Sequence, residues 1–423
     1  MKTKKNILII PPFNPYPLIS GGHQAVFNGI AILKEIANVY LIISITESQY
    51  KKGTYKELQR ALPFVTILPY IDPCSRHTIK WYWKVLWNKI FEKLPKLKLL
   101  CVKKSSNEFI ENELLKKGIL EPIYGTDEAK HKCINHIIQK HKIDIVQTEM
   151  ISNLRIIEHL PKSIKTIFVH HELKYVRDRL LLDTQGNIEQ KTLNQWQANK
   201  EQEISLLNQY NHVITLSQID TDKLAKDGVT TDIVTSLAVV EEKKDIPYSG
   251  VVRKMLSYVG PEMHYPNYEG VMWFLNNCWK QLLAQDPEFS FQIIGKWSDT
   301  TKQQLESEFN NVKCVGFVDD LASALDGTTM IVPLNIGSGI RMKILEAAQF
   351  NTPVVSTTVG CEGLPLKHGV HLFIADTPDD FIKSIINIQD KSCREKFVTA
   401  TRDIIKSSYS IEKLKESRIN LYK

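Results

Sequence analysis

The residues with the clearest chemistry surround a Gly-Ser-Gly turn at 337–339. An apolar run at 330–334 precedes this turn, and a helical pattern begins near Ile340. A strand that passes through a glycine turn into a helix N-terminus forms an anion site, because free amides and the positive end of the helix dipole point at the same place. Arg341 and Lys343 add positive charge in the first turn of the helix. The sequence therefore predicts a bound phosphate or diphosphate.

Glu346 lies one turn beyond Lys343, on roughly the same face of this helix. A carboxylate at that place can accept hydrogen bonds from two vicinal hydroxyls of a ribose. Together with the nearby cations it suits a nucleotide diphosphate. The alternative is an ordinary strand–helix turn with basic residues on the surface.

The same stretch resembles the donor-site signature of retaining glycosyltransferases of family 4, in the branch that reads PLxxGxGxRxKxLEAxxxGxPVVSTxxGxEGL. Asn351 replaces one glycine of that pattern. The more familiar form of the family has two glutamates eight positions apart; here the second is Glu346 and Ser338 holds the position of the first. The resemblance implies a GT-B fold, a nucleotide diphosphate sugar as donor, and donor contacts from the following residues: Gly337, Ser338, Gly339, Ile340 and Glu346.

Two other strand ends carry residues that the family uses. Gly21 and Gly22 follow the first predicted strand, and the matching loop in the family lies near the donor phosphate and the acceptor; a helix-capping turn is the alternative. His170 and His171 end a later strand, where the family commonly has a histidine that faces the sugar. The sequence leaves open which of the two does so.

The loop after Gly260 departs from many members of the family. They carry an arginine and a lysine there for the diphosphate, whereas Pro261 follows Gly260 here and the segment has a GxxxxxPN form that ends at Asn267. The charge of the diphosphate must then be met elsewhere, and Arg341 and Lys343 are the substitutes that the sequence offers.

Two further residues belong to segments that match the family. Phe317 lies in a GFVDD segment that the family places near the base, and either contact with the base or packing fits this position. Glu362 closes the signature, where it could bind a donor hydroxyl or cap the following turn. The acidic pair Asp220 and Asp222 follows Ser217 and is typical of a helix start. Because the sequence contains no histidine–cysteine cluster with metal-ligand spacing, we expect no obligatory metal and no cofactor beyond the donor.

Composition predicts a large enzyme of the cytoplasm. A chain of 423 residues is too long for one core and predicts two domains. Seven cysteines without a CxxC pair are typical of reduced thiols. The first apolar run, 7–10, ends at two prolines and is too short for a signal peptide, and no apolar stretch reaches the length of a membrane span.

Strands and helices alternate through the chain, which predicts an α/β fold with two Rossmann-like doubly wound parallel sheets facing a cleft. We expect an acceptor-side domain at 1–240, a nucleotide-sugar domain at 241–394 and a C-terminal helix within 395–423 that returns to the first domain, with the linker at 236–253. The predicted helices of the first half are 23–37 and 193–209. The predicted strands are 6–10, 39–45, 144–148, 166–170, 213–216, 255–259, 289–294, 312–317, 330–334, 353–356 and 372–375.

The stretch 76–104 holds nine basic residues and one acid, interleaved with tryptophan, tyrosine and phenylalanine. This pattern suits the surface of an anionic bilayer, from which a lipid-linked acceptor could be reached. An aromatic stripe that faces the core, with solvated lysines, is the alternative. Nucleic acid would also explain the charge, but no recognised motif supports it, and we expect no nucleic-acid partner.

The resemblance thus implies a transferase that moves a sugar from a nucleotide diphosphate sugar to a glycan or lipid-linked acceptor with retention of configuration. The departing diphosphate would help to deprotonate the acceptor while Arg341 and Lys343 stabilise its charge. Two alternatives stay open: a catalytically silent nucleotide-sugar-binding partner in a polysaccharide assembly complex, and a sugar-nucleotide epimerase. The carboxylate pattern gives the epimerase no support.

Overall fold

The computed structural model describes residues 4–71, 120–184, 186, 188–239 and 246–423. The basic and aromatic stretch 76–104, for which a membrane surface is predicted, lies outside these residues. So do residues 240–245, which contain the predicted boundary between the two domains. The predicted domain limits therefore stay predictions.

The first sheet has seven parallel strands in the order β3-β2-β1-β4-β5-β6-β7. Four consecutive residues at the end of its first strand are completely buried, because helices cover both faces of the sheet. In chain order the strands are β1 (Lys5–Ile10), β2 (Ala37–Ile45), β3 (Val65–Ile71), β4 (Ile145–Glu149), β5 (Lys165–His170), β6 (His212–Thr215) and β7 (Asp232–Thr235).

The second sheet has six parallel strands in the order β10-β9-β8-β11-β12-β13. Both strand orders reverse beside the first strand of their sheet, and the crevice at such a reversal is where open α/β sheets bind ligands. The strands are β8 (Met255–Val259), β9 (Ser290–Ile294), β10 (Val312–Gly316), β11 (Thr329–Val332), β12 (Val354–Ser356) and β13 (Phe373–Ile374). Two parallel α/β sheets agree with the predicted fold class.

Helices connect the strands of both sheets. None in the described ranges is long and apolar enough to cross a bilayer. The helices around the first sheet are α1 (Gly21–Ala31), α2 (Glu47–Lys52), α3 (Tyr55–Ala61), α4 (Glu128–Lys140), α5 (Lys174–Asp183), α6 (Gln190–Leu207) and α7 (Gln218–Lys226). Those that follow are α8 (Tyr265–Phe274), α9 (Lys280–Gln285), α10 (Asp299–Glu308), α11 (Leu321–Leu325), α12 (Met342–Gln349), α13 (Pro378–Asn387), α14 (Lys391–Ser408) and α15 (Ile411–Arg418). Short 3-10 helices lie at Ile151–His159, Val359–Cys361 and Ile419–Tyr422, and a π-helical turn at Leu275–Trp279 joins α8 to α9.

Several predicted element limits are wrong. The first helix ends at Ala31 rather than at residue 37, because Ala37 already pairs with Lys5 in the sheet. The helix after the glycine turn begins at Met342 rather than near Ile340. Two strands, β3 and β7, were not predicted. The C-terminal helical region consists of two helices that are separated at 409–410.

The end of the chain contacts the first sheet. Arg418 Nε donates to the hydroxyl of Ser236 at 2.7 Å, and Lys165 Nζ donates to the carbonyl of Leu421 at 2.7 Å. Tyr422, which is buried, donates its hydroxyl to Gln147 of β4. These bonds attach the C-terminal segment to the strands that lead toward the cleft.

Candidate functional site

The Gly-Ser-Gly turn connects β11 to α12 in a backbone path that excludes larger residues. Gly339 has φ +76°, and a Cβ there would lie 2.3 Å from the carbonyl oxygen of His171 in the first domain. A Cβ on Gly337, at φ +143°, would lie 2.5 Å from the guanidinium of Arg341. Glycine is therefore required here for close approach as well as for backbone conformation.

Arg341 holds this turn together. It occupies the N-cap position of α12 rather than the predicted first turn, and its Nη1 donates to the carbonyl oxygens of Ser338 (2.5 Å) and Gly339 (2.7 Å). Burial lowers the pKa of Arg341, while Glu172 and Glu362 act in the opposite direction. Its buried Nε has no hydrogen-bond partner among the described residues. The guanidinium thus fixes the backbone that surrounds the anion site.

Lys343 is the cation of the first turn whose charge depends on its surroundings. Its Nζ donates to Tyr258 Oη at 2.9 Å and to Asn267 Oδ1 at 3.1 Å, and it lies 4.1 Å from the centroid of the Tyr258 ring. Burial, and then the charge of Arg341, lower its pKa to about 7, although Glu346 acts in the opposite direction. A bound anion would favour the charged form.

The GxxxxxPN segment forms the frame that orients Lys343. Asn267 accepts from Tyr258 Oη at 2.7 Å and donates to the carbonyl of Pro261 at 2.8 Å. A Cβ on Gly260 would lie 2.7 Å from the Asn267 amide, so this glycine makes room for the asparagine. Tyr258 was not predicted as a site residue; its position at the end of a buried strand, two residues before Gly260, is the signal that could have found it.

The glycine pair of the first domain lies inside the first turn of α1, rather than in the loop before it. Ser20 caps this helix, with its hydroxyl accepting from the amide of His23. A Cβ on Gly21 would lie 2.5 Å from Cβ of Met342, the first residue of α12. A Cβ on Gly22 would lie 3.0 Å from the Met150 side chain. The N-termini of α1 and α12 therefore meet across the cleft.

Glu346 contacts the first domain directly. Gln24 of α1 donates its side-chain amide to Glu346 Oε1, and the two residues are 322 positions apart in the chain. Both side chains are half-buried. The sequence analysis did not identify Gln24, because nothing in the local pattern shows which distant residue faces Glu346.

The two histidines at the end of β5 have different surroundings. The His170 side chain is completely buried, and its Nε2 lies 2.8 Å from Glu203 Oε1. The His171 side chain is 11% exposed, and its Nε2 lies 2.7 Å from Glu149 Oε2. Since the carbonyl of His171 touches Gly339, His171 lies at the cleft.

Ser338 and Glu362 bind the first domain rather than standing free in the cleft. The Ser338 hydroxyl accepts from the amide of Leu173, just before α5, at 2.7 Å. Lys223 of α7 donates to Glu362 Oε1 at 2.8 Å, which is neither of the two contacts predicted for Glu362. Nearby, Ser217 caps α7 by accepting from the amide of Asp220, as predicted from the acidic pair.

Phe317 and Ile340 complete the predicted donor set. Phe317 is 67% exposed after β10, so the predicted packing role is wrong and its ring is free to meet a ligand. Ile340 is half-buried, with its Cγ1 in contact distance of Gly363. In the described ranges no group of three or more histidine, cysteine, aspartate or glutamate side chains could hold a metal ion.

Comparisons with known proteins agree with this arrangement. Residues 253–391 match the family model described as glycosyl transferases group 1. A curated relative, an uncharacterized 44.6 kDa protein in the cps region of Klebsiella pneumoniae, is 28% identical over 138 residues. That match covers 31% of this chain and 36% of the relative, so it spans about a third of each protein.

Solved structures match along the whole chain. TarM, which has also been crystallised from S. aureus with UDP among its ligands, has a TM-score of 0.69 at 12% identity, covering 100% of this chain and 99% of its own. HepE from Anabaena, in complex with UDP-glucose, has a TM-score of 0.63 at 11% identity, covering 98% of each chain. At such identities the likeness establishes the fold, and the predicted GT-B class is confirmed. Residues 253–391 therefore form a glycosyl transferases group 1 domain within a chain of the GT-B fold.

Proposed function

We propose that this protein is a retaining glycosyltransferase of family 4 that moves a sugar from a nucleotide diphosphate sugar to a hydroxyl of a glycan or lipid-linked acceptor. The observation that carries the proposal is the meeting of α1 and α12 across the cleft, within a chain whose second domain matches group 1 transferases. This junction brings Lys343, Glu346 and His171 to one place, as a donor site requires.

Uridine diphosphate is the nucleotide that we propose for the donor. HepE was solved with UDP-glucose and TarM with UDP, and both share the fold of this chain. Glu346 would bind the ribose hydroxyls in exchange for part of its bonding to Gln24. Phe317, exposed at the end of β10, would lie against the base. The diphosphate would lie at the N-terminus of α12 beside Lys343.

The transfer would proceed by displacement on one face of the sugar. The bond from the anomeric carbon to the diphosphate oxygen breaks, the bond to the acceptor oxygen forms on the same face, and the acceptor proton passes to the departing diphosphate. The helix N-terminus and Lys343 stabilise the charge that develops on the leaving group. Arg341 contributes by fixing the turn and by its buried positive charge. No metal takes part in this scheme.

Cell-surface polysaccharide synthesis is the process that we propose. The curated relative lies in a cps region of Klebsiella pneumoniae. The enzyme would act in the cytoplasm, where the basic and aromatic stretch 76–104 would hold it on the inner face of the membrane beside a lipid-linked acceptor.

The decisive experiment measures binding and release of diphosphate with UDP-, GDP- and ADP-sugars. Glu346→Ala should weaken binding of the preferred nucleotide by about tenfold or more, because the ribose loses a charge-assisted partner. Glu308→Ala is the control, since this glutamate is exposed on α10, outside the donor site. Binding that is unaffected by Glu346→Ala would refute the placement of the donor.

Ser338 supports one alternative, a silent binding partner in an assembly complex. It occupies the place of the first glutamate of the family and is engaged with the Leu173 amide. Selective donor binding without turnover or hydrolysis, even with membrane extract as acceptor, would favour this alternative over the enzyme.

A further inference from the structure

A chain of buried polar side chains leads from the C-terminal segment to the cleft. Tyr422 Oη donates to Gln147 Oε1, and Gln147 Nε2 donates to Glu149 Oε1, each at 2.5 Å. The second oxygen of Glu149 lies 2.7 Å from His171 Nε2. Gln147, Glu149 and Tyr422 are at most 2% exposed, so each bond forms out of contact with water.

This chain determines how His171 presents its ring. A carboxylate only accepts hydrogen bonds, so the nitrogen that faces Glu149 must carry a hydrogen. In the neutral ring the other nitrogen, Nδ1, is then an acceptor. Nδ1 has no hydrogen-bond partner among the described residues and is not closed off from solvent, and the His171 side chain is 11% exposed.

We propose that Glu149 is a positioning residue that fixes the tautomer and orientation of His171, so that Nδ1 accepts a hydrogen bond from a hydroxyl of the donor sugar. Tyr422 and Gln147 hold Glu149 in turn, which makes the C-terminal segment a support of the cleft. The role in sugar recognition rests on the proposed function. The tautomer of His171 is a property of the protein alone and can be tested without any turnover.

A neighbouring pair offers a matched control. His170 Nε2 lies 2.8 Å from Glu203 Oε1, and both side chains are buried. Glu149→Gln and Glu203→Gln thus make the same chemical change beside adjacent histidines. Only the Glu149 change should reach the cleft, because the His170 side chain has no exposed surface.

The experiment records nitrogen-15 spectra of labelled histidines in the full chain, with His171 assigned from a His171→Asn variant. The wild type should show the tautomer protonated at Nε2. Glu149→Gln should shift the His171 signals toward the other tautomer, Glu203→Gln should leave them unchanged, and Tyr422→Phe should give a smaller shift in the same direction. A wild-type His171 protonated at Nδ1, or signals indifferent to Glu149→Gln, would overturn the proposal.

Sugar recognition is read separately from the tautomer. Glu149→Gln should leave the affinity for UDP unchanged and lower kcat by about tenfold to a hundredfold, since a misplaced contact costs roughly that much. Equal loss of kcat in Glu203→Gln would show a merely structural effect and overturn the assignment. If wild-type turnover itself is absent, the proposed function fails while the tautomer result still decides the role of Glu149.

Discussion

Lys343 should make the affinity for a nucleotide diphosphate sugar fall as the pH rises above neutrality. Its pKa in the free protein is lowered to about 7, mainly by burial and then by Arg341. A diphosphate bonded to its Nζ stabilises the ammonium, so the pKa of Lys343 rises in the complex. Above the free pKa, binding must therefore take up a proton, and the apparent Kd increases with pH.

The size of the effect follows from the two pKa values. Below about pH 6 the lysine is charged in both states and the Kd is constant. Above about pH 7 the Kd rises by up to tenfold for each pH unit, until the pKa of the complex is reached. With a complex pKa above about 9, the Kd should be roughly thirtyfold weaker at about pH 8.5 than at about pH 6.

Titration calorimetry with UDP-glucose measures this directly, because the internal diphosphate of that donor does not titrate in this range. Lys343→Arg is the control, since a guanidinium stays charged and its profile should be flat. His23 and His264 near the cleft have pKa values lowered by burial, so their titration lies below the range and is common to both proteins. A flat wild-type profile, or an equal slope in Lys343→Arg, would refute the role given to Lys343.

Two further predictions concern the contacts between the domains. Gly339→Ala should weaken donor binding by more than tenfold, because its Cβ would meet the His171 carbonyl, whereas Gly369→Ala, at nearly the same φ but in open space, should lose only about 1–2 kcal/mol of unfolding free energy; equal donor affinities would contradict this. Lys223→Glu and Glu362→Lys should each weaken donor binding severalfold, as expected for a half-exposed pair worth about 1 kcal/mol. The double variant should recover the affinity, and failure to recover it would show that the pair does not stabilise the closed cleft.

The strands that the sequence predicted are those with neighbours on both sides. They are buried on both faces and therefore appear as short apolar runs. The two missed strands, Val65–Ile71 and Asp232–Thr235, lie at the opposite edges of the first sheet. Pro69 interrupts one and is tolerated because an edge strand has only one neighbour to bond. The other has only four residues, of which none is fully buried, so its pattern is weak.

The candidate site was predictable in its residue types but not in its contacts. The signature identified the cations and Glu346, since their spacing along one helix is local information. It did not show that Arg341 folds back on the carbonyls of its own turn, because that depends on the path of the backbone. Nor did it show that Lys223 faces Glu362 or that Gln24 faces Glu346, because these pairs join segments far apart in the sequence.

The glycines of the signature have a second use in this chain, besides providing amides for an anion. Gly21 and Gly339 each allow the backbone of one domain to approach atoms of the other more closely than any Cβ would permit. The hydroxyl of Ser338 then accepts an amide of the first domain at this approach, where the family has a carboxylate. Closure without donor is thus stabilised by hydrogen bonds that include Gln24 to Glu346. A ribose that displaces this bond replaces one partner of the carboxylate by another, so the donor can enter at little cost in unsatisfied polar groups.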